Sequence, residues 1–212
     1  MKKIILITPS YRTVNLKKIL KSIDFSYIEK WIIIYDGNKM DVNFQLFSDN
    51  NKIIEYTDTK IIYSVNKKYQ SGCGNTQRNY ALDYINKIYL KEPVFIYFLD
   101  DDNIIHPNFY NIIQKIEYNK FYTFDQLRND GTILSGNNIK AYKIDTAMFL
   151  CDFNLVKDIK FVPENEYDTD WRYIESCYKK NIKSHIYVPE IGCYYNYLRW
   201  DQHETNKVRT IN

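Results

Sequence analysis

Three consecutive carboxylates, Asp100-Asp101-Asp102, follow directly on the most hydrophobic stretch of the chain, Val94-Phe-Ile-Tyr-Phe-Leu99. Adjacent acids repel one another unless a cation or basic groups compensate, and side chains at alternate positions of an extended backbone point the same way. Asp100 and Asp102 would then offer hard oxygen ligands to one divalent ion. With no His or Cys beside them, such a set suits Mg²⁺ or Mn²⁺ held against substrate phosphates. A solvated acidic turn in which Asp102 caps the next helix accounts for the same residues without a ligand, and both readings stand. Arg78 opens a segment in which Tyr80, Ala81, Tyr84, Ile85 and Ile88 recur at helical spacing. There its guanidinium would join the free N–H groups of a helix N-terminus as an anion site fit for a diphosphate. An Arg on an exposed helix face that is simply solvated is the alternative. Arg12 and Lys67 or Lys68 are further candidates of this kind.

The elements that must position these groups are readable in outline. Ile4 to Ile7 is a buried-strand pattern ending in Pro9-Ser10, Leu16, Ile19, Leu20 and Ile23 follow at helical spacing, and Trp31 to Tyr35 is a second strand that stops at Asp36-Gly37-Asn38. Ile53 to Tyr56 and Ile61 to Tyr63 are possible short strands, and the segment from Asn75 is a helix of about four turns. After the acidic triplet, Pro107 suits the first turn of a helix through about Tyr118. Residues 119–143 are mixed and Asn-rich, with turn points at Gly131 and Gly136. Ala147 to Leu150 reads as a strand, Trp171 to Lys180 as a helix entered from the acidic loop 164–170, and Ile186 to Val188 as the last strand before an aromatic tail. No repeat or linker divides the series, so one α/β domain over residues 1–212 is expected.

Composition narrows the class. The chain has 212 residues, 45% of them apolar, enough for a full hydrophobic core, which excludes a small disulfide-stapled scaffold. The formal net charge is only +3, from 29 basic against 26 acidic residues, so a nucleic-acid partner is not expected. The four Cys (73, 151, 177, 193) and three His (106, 185, 203) have no zinc-like spacing, and buried reduced thiols are expected. The apolar run after the two N-terminal Lys is shorter than a signal or spanning segment, and no other stretch reaches that length, so the expectation is a soluble cytoplasmic protein.

In this context IYFLDDDNIIHPNFY resembles the DXD region of nucleotide-sugar glycosyltransferases with the GT-A fold, a Rossmann-like fold whose mixed central sheet is flanked by helices. Matching blocks occur in the same order: ITPSYR looks like the opening strand and nucleotide-binding loop, IIIYDGN like the second strand, and SGCGNTQRNYALDYI like the segment with an Arg-Asn pair at the head of a helix. The QRNxAL and DDDN spellings resemble the inverting glucuronyltransferase-like family, while the spacing of the C-terminal half resembles family 2 enzymes. The resemblance implies a nucleotide-sugar half over residues 1–110 and an acceptor half over 111–212. It places Pro9, Tyr11, Arg12, Asp36, Arg78, Asp100 and Asp101 at the nucleotide, and Asp102, Asp100 and His203 at Mn²⁺ or Mg²⁺. The catalytic base would be Asp170, or Asp168 by the glucuronyltransferase-like alignment. Asp145 and Trp171 would face the acceptor. The function so implied is metal-dependent, inverting transfer of a sugar from a UDP-sugar to a glycan or other hydroxyl acceptor.

Two alternatives compete. A sugar-phosphate nucleotidyltransferase uses a similar sheet and metal, and against it stands the first loop, which reads Pro-Ser-Tyr-Arg-Thr with no Gly before residue 37. A non-catalytic nucleotide- or sugar-binding module would need no base.

Overall fold

A computed structural model describes residues 2–35, 51–57, 74–89, 92–162 and 168–199. The apolar runs become the central strands: β1 (Lys3–Ser10), β2 (Ile28–Tyr35), β3 (Ile53–Thr57) and β4 (Val94–Phe98) lie parallel in the order β3-β2-β1-β4. Ile4 through Ile7 are all at most 1% exposed, because alternate side chains enter two different cores. Ile4 and Leu6 pack with Leu16 and Ile19 of helix α1 (Thr13–Leu20) on one face. Ile5 and Ile7 meet Ala81, Leu82 and Ile85 of α2 (Asn75–Ile88) on the other. Helix α3 (Asn108–Gln114) joins the first face and α4 (Thr169–Lys180) the second, which gives three layers.

Beyond β4 the sheet becomes mixed. β8 (Phe149–Asp152) runs antiparallel to both β4 and β6 (Phe121–Arg128), and β9 (His185–Tyr195) runs parallel to β6. The two-residue strand β5 (Ile104–Ile105) pairs antiparallel with β9 at the edge, and β7 (Ile133–Leu134) pairs with β6. The expected α/β fold with a mixed sheet flanked by helices is therefore what the chain adopts.

The second half departs from the sequence reading in detail. β6 lies inside the stretch 119–143, disguised by Thr123, Asp125 and Gln126; Thr123 and Gln126 are fully buried, and the Thr123 hydroxyl is 2.8 Å from His185 Nε2. β9 continues past Val188 because a bulge absorbs the residues after it: Phe124 pairs with Val188 but Asp125 with Ile191. Gly192 then lies so close to the Phe124 ring that a Cβ would sit 2.2 Å from it. Thr146–Met148 is a 3₁₀ turn, so β8 starts at Phe149 rather than Ala147. α3 stops at Gln114, short of Tyr118, as the chain turns through Asn119 at φ 60° into β6. The expected strand at 61–63 lies outside the described residues. No helix among the described residues is long and apolar enough to cross a membrane.

Candidate active site

The C-terminal ends of β1, β4 and β6 converge on one edge, and the segment before β8 and the start of α4 reach the same place. They enclose a cleft of about 760 Å³. Pro9, Tyr11 and Arg12 line it, as expected for the loop after β1. That loop is fastened by Asp101, whose Oδ2 accepts from the Ser10 hydroxyl at 3.0 Å and from the backbone N–H groups of Tyr11 and Arg12 at 2.8 and 2.7 Å. Its other oxygen pairs with the Arg12 guanidinium. Asp101 thus holds the loop, with its acceptor capacity spent there rather than on a nucleotide. Gly74, at the head of α2, packs closely against this loop. Its φ is 76°, and a Cβ there would lie 2.7 Å from Pro9 Cβ.

The cation site differs from the expected pair. β4 ends at Phe98, and Asn103 N–H closes a turn onto the Asp100 carbonyl at 3.0 Å, so the alternation of an extended strand no longer applies at Asp102. Asp102 faces Arg12, 3.2 Å from its guanidinium, while Asp100 turns the other way. Asp100, Asp145 and Asp170 each present a carboxylate oxygen, all within 4.8 Å of one another. Asp145 is aimed by its own backbone contact, accepting from Ala147 N–H at 2.8 Å in the turn before β8. Asp170 projects from the first turn of α4. The structure therefore groups Asp100 not with Asp102 but with Asp145, expected at the acceptor, and Asp170, expected as the base.

Arg78 is the counter-charge to this trio. It is 1% exposed, pairs with Asp100 and lies 3.4 Å from Asp170. The expectation that it meets a diphosphate is corrected: from the first turn of α2 it points inward beneath the carboxylates and does not line the cleft. Burial alone would lower its pKa, but the adjacent Asp100 and Asp170 hold it above the ordinary value. Burial raises Asp145 well above the usual carboxylate range, with Asp170 and Asp100 adding to the rise. Burial also raises Asp170 to about 6, against the opposing pull of Arg78, and Asp102 to about 7, with Asp100 adding and Arg12 opposing.

Three carboxylates against one guanidinium leave two negative charges, and Asp170 Oδ1 is buried without a hydrogen-bond donor. An all-oxygen set with that balance fits Mg²⁺ or Mn²⁺. Two other expected residues lie elsewhere. Asp168 is engaged by Arg172 one turn on, at 3.0 Å from its Nε, and Trp171 packs against the second core instead of facing the cleft. Asp36 and His203 lie outside the described residues.

Sequence reasoning missed Asn15 and Asn103, which bring the chain after β9 to the cleft. Buried Asn15 donates to the carbonyls of Asp101 and Leu198 at 2.9 and 3.1 Å, and Asn103 Oδ1 accepts from Asn196 N–H at 2.8 Å. A polar residue on the inward stripe of α1, where Leu16 and Ile19 lie, was the available signal for Asn15.

The sequence matches no protein-family profile and no curated protein. Among solved structures the fold is similar to the inositol-1-phosphate CTP transferase from T. maritima (14% identity, TM-score 0.47, covering 83% of this chain and 82% of that one). It is also similar to a putative glucose-1-phosphate thymidylyltransferase from Bacillus anthracis (14%, 0.45, 91% and 87%) and to HddC from Yersinia pseudotuberculosis (9%, 0.46, 82% and 86%). At these identities the likeness extends to the fold alone. The expectation of a glycosyltransferase with a separate base is corrected: the residue assigned to that role, Asp170, belongs to the carboxylate trio.

Proposed function

We propose that this chain is a divalent-metal-dependent nucleotidyltransferase that joins a nucleoside triphosphate to a phosphorylated sugar or polyol. The observation that carries this reading is the trio Asp100, Asp145 and Asp170 over buried Arg78. Deprotonating an acceptor hydroxyl calls for a carboxylate apart from the metal ligands. An acceptor phosphate is already ionised near neutral pH and needs no such base, so a cleft whose carboxylates are gathered at one cation site suits it. Asp100, Asp145 and Asp170 would hold a divalent ion there, and that ion would supply positive charge for the phosphate oxygens and the departing pyrophosphate. Arg78 keeps the trio assembled against its own repulsion, and Arg12, fixed by Asp101 and Asp102, presents a positive group at the end of β1. The acceptor phosphate oxygen forms a bond to the α-phosphorus as the bond to the β-phosphate breaks, and pyrophosphate leaves.

The test is pyrophosphate release from each of CTP, UTP, dTTP, GTP and ATP with Mg²⁺ and a panel of sugar and inositol 1-phosphates. Release that depends on both a triphosphate and a phosphorylated acceptor is the expected outcome. Its absence across the panel sinks the reading.

A further inference from the structure

Charge is distributed unevenly over the cleft. Two arginines beside the carboxylates are matched by acids: Arg12 by Asp101 and Asp102, Arg78 by Asp100 and Asp170. The opposite wall carries Arg128, at the end of β6; Arg199, in the turns after β9, lines the cleft next to the point where Leu198 N–H donates to the Asp102 carbonyl. Neither has a carboxylate within ion-pair distance among the described residues. Arg128 Nε is buried with no hydrogen-bond acceptor, an uncompensated desolvation that an incoming acceptor oxygen would relieve. Its guanidinium carbon lies 5.8 Å from the centroid of the Tyr195 ring, which restrains the plane of the fork. Beside it Leu134, Ile144 and Tyr142, 70% exposed, extend the wall as apolar surface suited to the C–H face of a sugar or cyclic polyol ring.

We propose that Arg128, assisted by Arg199, is the subsite for the phosphate of the acceptor, with the Tyr142 wall receiving its ring. This rests on the nucleotidyl-transfer reading and deepens it by assigning the second substrate a place. The loop after β1 and the wall at β6 face one another across the carboxylate trio, so the two substrates meet over the cation site from opposite sides. A guanidinium binds a phosphate through two parallel N–H donors, which a lysine ammonium does not reproduce.

The test is calorimetric titration of the Mg²⁺-loaded protein with inorganic phosphate, glucose 1-phosphate, free glucose and nucleoside triphosphates, on the wild type and on Arg128→Gln, Arg128→Lys and Arg199→Gln. Wild type should bind the two phosphates and not free glucose. Arg128→Gln should weaken both phosphates about tenfold or more, the loss of one hydrogen bond to a charged group. Arg128→Lys should fall between, Arg199→Gln should weaken them less, and triphosphate affinity should not change. Should Arg128→Gln fail to fold, the Lys variant and Arg199→Gln still decide the matter. Phosphate affinity untouched in the variants, or triphosphate affinity falling in parallel, overturns the assignment. Phosphate binding that is lost in the variants while wild type releases no pyrophosphate supports the subsite and sinks only the transfer reaction.

Discussion

The Arg78 guanidinium lies 3.4 Å from the Asp170 carboxylate while also pairing with Asp100, so one buried cation joins the first turn of α4 to the end of β4. Removing one partner of a buried charge set leaves the others uncompensated. Because Asp100 and Asp170 side chains keep 27% and 21% exposure, Arg78→Met should destabilise the metal-free protein by about 3 kcal/mol, the low end for such a lesion. Urea unfolding at pH 7.5 measures it, and Mn²⁺ should restore part of the loss. A change within experimental scatter would mean that the trio needs no counter-ion.

Asp100 and Asp102 separate the carboxylate trio as a cation site from the pair read in the sequence. Asp100→Asn should abolish Mn²⁺ binding, because it removes one of three ligands, whereas Asp102→Asn should leave it intact, because Asp102 faces Arg12. Titration of Mn²⁺ followed by its paramagnetic signal reads both. The reverse pattern would restore the Asp100–Asp102 pair.

Stability should depend on pH in an unusual direction for carboxylates. Asp170, Asp102 and Asp145 all have pKa values raised in the folded state, Asp170 to about 6 and Asp102 to about 7. Between the unfolded carboxylate value near 4 and these folded values, the native state holds protons that the unfolded chain has released. Their contribution to stability is therefore present in full below about pH 4 and lost as pH rises through about 6 to 7. Without metal the melting temperature should be lower at pH 8 than at pH 5, and Mg²⁺ should raise it most at pH 8. A melting temperature that climbs over that interval in metal-free buffer would contradict the buried, crowded state of these acids.

Gly74→Ala tests the close contact between the head of α2 and Pro9. The added Cβ would meet Pro9 at 2.7 Å on a backbone with φ 76°, so both clash and conformation oppose it. The cost should be about 1–3 kcal/mol in thermal or urea unfolding, the range for a strained residue. Triphosphate affinity should fall as well, since Pro9 and the loop it begins are displaced. Full affinity in a folded variant would show that the loop plays no part in nucleotide binding.

The parallel half of the fold was legible because strands buried on both faces read as continuous apolar runs, and β1, β2 and β4 stand out for that reason. β6 and β9 were obscured because the polar partners of Thr123 and Gln126, His185 and Asp145, lie far away in sequence, and because a bulge carries β9 past Pro189. Within the site, Asp100 and the head of α2 were visible in the sequence. Spacing could not reveal that the chain turns after Asp100 and sends Asp102 toward Arg12, nor that Asp145 and Asp170 arrive beside Asp100 from separate elements. The position of Arg78 at a helix head points in sequence to an anion site; its burial follows from the three carboxylates gathered above it.

β8, hydrogen-bonded to β4 on one side and β6 on the other, has a mechanical consequence. Enzymes that engulf substrates by swinging one lobe onto another need a sparse seam to bend at. Here the seam is a continuous ladder, so the Arg12 and Arg128 walls stand at a fixed separation. Under the nucleotidyl-transfer proposal, the gauge of that gap, rather than lobe closure, limits the combined bulk of the two substrates.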